Sequence, residues 1–171
     1  TLARFSEAFL VLRAQNVGLA ISFVPVVMII MSAVYAIVAY PAGLAADRMK
    51  HRTLLLLGLA MLILADIILA SATTAWQVFA GATLWGVHMG LTQGLLSKLV
   101  ADNAPADLRG TAFGIFNLVS GVALLLASVI AGMLWQLVGP AATFIAGAVF
   151  ASIAGAGIMV YRPSLPYRVN G

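Results

Sequence analysis

Between Gly110 and Tyr161 the sequence contains no Asp, Glu, Lys or Arg, and no other feature constrains its fold as tightly. A helix crosses the apolar core of a bilayer, roughly 30 Å thick, with about 20 residues. The run is therefore long enough for two spans and too long for one, and Gly139 and Pro140 divide it. From Gly18 to Ala46 charge is again absent, which predicts one long or tilted helix, about Leu19 to Leu44, with a kink at Pro25. Hydrophobic residues make up 63% of the chain and charged residues 8%, and the mean hydropathy is +1.10. A soluble domain of 171 residues leaves too much of its surface facing water to enclose that much apolar area. The chain reads as an integral membrane protein.

The remaining segments follow the same logic. TLARFSEAFLVLRA at the start is apolar but too short to span, so it reads as the outer part of a helix whose beginning is missing. Because the sequence opens on Thr1 rather than Met, its true start is expected upstream; no signal peptide is expected, since Arg4 and Glu7 interrupt the apolar segment. Thr53 to about Ala72 forms a span broken only by Asp66, Ser71 to Thr74 a turn, and a further span runs from near Trp76, an interfacial anchor, to about Val100. ADNAPADLRG is a polar connector, and Pro163 and Pro166 prevent the tail RPSLPYRVNG from continuing as regular helix. The expected fold is all-α and transmembrane: a six-helix bundle over residues 1–161, with one partial and five complete spans, followed by a tail at 162–171.

A net charge of +4 and a pI near 10.0 would suggest a nucleic-acid partner in a soluble protein. Here the bases flank membrane spans and read as topology signals, so no nucleic acid is expected. Arg48, Lys50, Arg52, Lys98, Arg109, Arg162 and Arg168 fall on one side and Arg13 on the other, which places the connectors and the C-terminus in the cytoplasm. With no cysteine and no H-E-x-x-H pattern, neither a disulfide framework nor a metal or other cofactor is expected.

The segment Tyr40 to Arg52, YPAGLAADRMKHR, separates two apolar runs; Pro41 and Gly43 are expected to loosen a helix end there. The spacing Gly43, Asp47, Arg48, Arg52 resembles the major facilitator superfamily loop signature G-x-x-x-D-R-x-G-R-R, with Lys50 in place of its second glycine and His51 in place of a basic residue. PADLRGTAFG, after the fourth helix, adds to the likeness. The whole chain resembles the C-terminal half of such a transporter, from a seventh helix cut at its start to the twelfth. The resemblance implies movement of a small solute by alternating access, by a permease or efflux protein of the plasma or inner membrane, coupled to protons or another ion. It also implies a partner N-terminal bundle of six helices outside this sequence. Asp47 then reads as a conformational latch, held by Arg48, by Arg52, by the amides of a helix N-terminus or by a partner in the opposite bundle; the alternative is a topology charge in a solvated loop.

Polar groups within spans are costly unless paired or facing water. Arg4 and Glu7, three apart, can share one helical face. The resemblance makes Glu7 a candidate for proton coupling or for a cationic group, against a local pair with Arg4. His88, Thr92 and Gln93 in the tenth family helix, and Asn117 in the eleventh, are candidates for proton relay or for binding a polar solute; a hydrogen bond from His88 to a neighbour is the alternative. Asp66, in the ninth helix, which the resemblance places outside the family's cavity, is expected to pair with a polar group on a neighbouring helix, with a coupling role the weaker alternative. Stripes of small residues, Gly86, Gly90, Gly94 and Gly147, Ala151, Gly155, suit close helix packing or a sliding surface. An intramembrane enzyme is disfavoured: LVSG at Leu118 to Gly121 lacks the first glycine of G-x-S-G, and Asp66 has no second intramembrane Asp. A half-size protein acting as a homodimer or regulatory subunit is the remaining alternative.

Overall fold

The computed structural model describes residues 4–160, which form six α-helices joined by short connectors. These are α1 (Ala8–Asn16), α2 (Val24–Arg48), α3 (His51–Ala70), α4 (Ala75–Asn103), α5 (Arg109–Leu137) and α6 (Pro140–Val160). Single 3-10 turns at Ile21–Phe23 and Ala106–Leu108 lead into α2 and α5. Four of the six, α2, α3, α5 and α6, are long and apolar enough to cross a membrane.

The central helix is α4, which packs most extensively against α2 and α3. Its 29 residues make a rod of about 44 Å. Its buried positions include Trp85, Gly86, His88, Gly90 and Thr92, because neighbouring helices shield it and its side chains need not be uniformly apolar. A capping box starts it: the Gln77 side chain accepts from the Thr74 backbone N–H at 3.1 Å, and the Thr74 side chain bonds the backbone in return. The glycine stripe on α4 faces α2. A Cβ on Gly86 would lie 2.5 Å from the Met31 carbonyl oxygen, and one on Gly90 would lie 2.7 Å from Val38, so only glycine lets these backbones approach so closely. Gly94 continues the stripe in sequence but has nothing within 4 Å. Helix α6 packs on α3, whereas α5 buries only Ala127 and Ala131 and shows large apolar side chains such as Leu118, Leu125 and Val129 on its surface.

Several expectations need correction. Pro25 lies in the first turn of α2, where a missing N–H breaks no helical bond, so it makes no kink. Pro41 sits inside α2 instead, and the helix runs through Gly43 to Arg48, shrinking the connector to Met49 and Lys50. Among its described residues, the first segment is not helical from Arg4 to Glu7. Helix begins at Ala8, so Arg4 and Glu7 do not share a helical face, and they form no ion pair among the described residues. The tail at 162–171, with Arg162 and Arg168, lies outside the described residues.

The charged ends sort by position along the bundle. Lys98 on α4 pairs with Asp47 on α2, and the Arg52 guanidinium at the start of α3 donates to the Met159 carbonyl near the end of α6. Arg13 marks the opposite end. It is buried to 7% exposure, and its guanidinium donates to the carbonyls of Leu69, Ala70 and Ala72 at 2.9, 3.1 and 2.7 Å, closing the C-terminus of α3, while also bonding Asn16 at 2.6 Å. A cation there meets the carbonyls at the helix end and the negative end of the helix dipole.

Candidate functional site

A cavity of about 460 Å³ lies between α3, α4, α5 and α6, with Arg4 at its edge. Small-molecule sites occupy roughly 300–1,000 Å³, so its size suits a small solute. Its apolar lining includes Leu55, Leu59 and Leu62 on α3, Leu124 on α5 and Ile158 on α6, and the rest is largely polar. Turns of α4 bring His88, Thr92, Gln93 and Ser97 to it, and α5 adds Asn117 and Ser120.

Of the candidates read from the sequence, Arg4, His88, Thr92, Gln93 and Asn117 line this one cavity, and Glu7 does not. Among the described residues, Arg4 is the only charged side chain on the wall, and no carboxylate lines it. His88 is buried, and its Nδ1 lies 2.8 Å from the Gly58 carbonyl oxygen. A carbonyl only accepts, so the ring donates from Nδ1, and Nε2 of the neutral imidazole is left as an acceptor. The Thr92 hydroxyl donates to the His88 carbonyl at 2.8 Å within its own helix. Thr92 is thereby partly committed, and its methyl packs where Gly58 has no side chain.

Ser97 escaped the sequence reading and Ser120 entered it only within LVSG, not as a cavity residue, although spacing marks both. Ser97 follows Gln93 by four residues and Ser120 follows Asn117 by three, which places each pair on one helical face. The loop residues lie away from this cavity. Asp47, Arg48 and Gly43 belong to the last turns of α2 and Arg52 to the first turn of α3. Asp47 pairs with Lys98 rather than with Arg48 or Arg52.

The sequence pattern that defines the Major Facilitator Superfamily matches residues 5–170. The chain belongs to that superfamily. An uncharacterized MFS-type transporter of Methanocaldococcus jannaschii is 30% identical over 161 residues, covering 91% of this chain and 40% of that protein. The inner membrane transport protein YajR of Escherichia coli is 28% identical over 94 residues, covering 54% of this chain and 21% of its own length. An uncharacterized protein of Mycobacterium tuberculosis is 28% identical over 119 residues, covering 70% of this chain and 29% of that protein. The chain thus spans about two fifths or less of the length of the curated relatives it matches. Membership makes it a multi-pass membrane protein of a transporter family rather than of an enzyme family.

Proposed function

We propose that this chain is the C-terminal half of a secondary transporter that moves a small solute by alternating access, with α1 as the end of the seventh helix and α2 to α6 as the eighth to twelfth. The rest of the protein supplies an N-terminal bundle of six helices, and the solute path runs between the two bundles. The connectors after α2 and α4 and the C-terminus face the cytoplasm, and the protein resides in the plasma or inner membrane.

The observation that carries this reading is convergence. Arg4, His88, Thr92, Gln93 and Asn117, drawn from three separate parts of the chain, meet at one cavity of solute size. With a guanidinium and several neutral polar groups on its wall, the cavity favours a solute rich in hydrogen-bond acceptors, neutral or anionic, over a cation. His88 Nε2 is the group on this wall suited to relay a proton. Glu7, away from the wall, serves coupling rather than solute contact.

Transport assays on the complete polypeptide in proteoliposomes test the reading. Gln93→Ala and Asn117→Ala should raise KM with little change in the amount of folded protein, and residues 1–171 alone should carry nothing. Saturable transport by the 171-residue chain alone would sink the half-transporter reading and favour a homodimer.

A further inference from the structure

Asp66 is wholly buried in α3, and among the described residues neither carboxyl oxygen has a hydrogen-bond partner. The expected polar partner on a neighbouring helix is not there. Instead the carboxyl is lodged against the backbone of α6: a Cβ on Gly147 would lie 2.6 Å from Asp66 Oδ2 and 2.9 Å from the Phe5 ring. Phe5 in turn packs edge-on against Trp85 of α4, with ring centroids 5.3 Å apart. Trp85 Nε1 is likewise buried and without a partner among the described residues. Leu69 opposite Gly81, and Gly58 opposite Leu91 and Thr92, set the antiparallel register of α3 and α4. That register brings Asp66 level with Trp85.

Among the described residues, no surrounding charge compensates an ionised Asp66. Helix α6 contains no Asp, Glu, Lys, Arg or His from Pro140 to Val160. On α1, Arg13 is committed to the carbonyls that end α3 and to Asn16. Arg4 and Glu7 flank Phe5 without an ion pair to Asp66. His88 on α4 is bonded to the Gly58 carbonyl, about two turns along α3. His51 and Arg52 occupy the first turn of α3, and Asp47 and Arg48 of α2, with Lys98 of α4, lie at that same distant end. A carboxylate without donor or counter-ion in this setting is far costlier than the neutral acid.

We propose that Asp66 is an intramembrane proton-binding site, protonated while α6 packs on α3 through Gly147 and able to release its proton only when that contact opens. On release the carboxyl O–H bond breaks, the proton passes to entering water, and the carboxylate remains. Trp85 Nε1–H, unused in the closed arrangement, then becomes a donor for that carboxylate. The site is separate from the solute cavity, whose wall does not include Asp66, and the proposal does not depend on the transport reading.

Infrared spectroscopy and amide hydrogen exchange on the complete polypeptide in lipid nanodiscs test it, comparing wild type with Asp66→Asn and Asp66→Glu. At neutral pH wild type should show a protonated-carboxyl stretch that Asp66→Asn removes and Asp66→Glu displaces. At alkaline pH that band should vanish from wild type while exchange in α6 quickens, whereas Asp66→Asn, which cannot ionise, should keep α6 protected at both values. If Asp66→Asn does not fold, the neutral-pH difference between wild type and Asp66→Glu decides. Carboxyl regions that superimpose between wild type and a folded variant would overturn the proposal, as would equal alkaline loss of α6 protection in Asp66→Asn.

Discussion

Lys98 of α4 holds the carboxylate of Asp47, 51 residues earlier at the end of α2, and so ties together the ends of two helices that run side by side. The pair is exposed, with Asp47 at 66% and Lys98 at 34% of their side-chain surface. Exposed pairs contribute little to stability. The role we propose for this pair lies elsewhere, in favouring one arrangement of helix ends over another.

Asp47→Asn in the complete transporter should therefore leave the melting temperature and the equilibrium solute affinity nearly unchanged. Turnover should fall roughly five- to tenfold, the lower end of typical coupling between conformational states. The exchange Asp47→Lys with Lys98→Asp should restore part of the loss if the pair itself matters. Unchanged turnover with collapsed binding would place Asp47 in the solute site instead.

The glycine stripe of α4 gives a sharper contrast. Gly86→Ala pushes a methyl onto the Met31 carbonyl and Gly90→Ala pushes one onto Val38, while Gly94→Ala meets nothing within 4 Å. Overpacking of this kind costs about 1–3 kcal/mol, so the first two should lower thermal stability in detergent. Gly94→Ala should be neutral or slightly stabilising. Equal effects at the three sites would mean that α2 and α4 do not approach as described.

Much of the architecture was legible because lipid leaves few options. The charge-free run divided where Gly139, with its positive φ of 125°, ends one helix path and Pro140 begins α6. What the sequence hid was long-range. Pro41 looked like a helix end, yet α2 passes through it, since burial in an apolar environment favours helix over an open backbone. Arg13 read as a topology charge because nothing local shows that the carbonyls of Leu69, Ala70 and Ala72 come to it. At the cavity, residue types and spacing singled out His88, Thr92, Gln93 and Asn117, but not their convergence, which depends on how α4 and α5 face one another.

Topology follows from the bases at one end of the bundle, Arg48, Lys50, Arg52, Lys98 and Arg109. A reporter active only outside the cytoplasm, fused after Arg52 or after Arg109 in the complete protein, should be silent. Fused after Asn16, beyond Arg13, it should be active. Activity after Arg52 would invert the orientation.

Arg13 carries the last prediction, because its burial and its bonding set opposite demands. A guanidinium at 7% exposure is costly to bury, and here the cost is offset by three backbone carbonyls at the end of α3 and by the Asn16 side chain. Its bonds to Ala70 and Ala72 reach carbonyls with no other backbone partner among the described residues, whereas the Leu69 carbonyl also accepts from the Ala72 N–H at 3.4 Å. Arg13→Ala removes the cation and strands the Ala70 and Ala72 acceptors together, and a hydrogen bond to a charged group contributes about 1.5–3 kcal/mol. The variant should lose on the order of 2–5 kcal/mol, with faster amide exchange concentrated at the α3 to α4 turn rather than across the bundle. Arg13→Lys should recover only part of this, since one ammonium cannot span the acceptors that a planar fork reaches. Thermal unfolding and hydrogen exchange on the complete protein check both points. If Arg13→Lys matches wild type, charge alone suffices and the forked geometry is irrelevant; if Arg13→Ala matches wild type, Arg13 is a topology signal and not a cap.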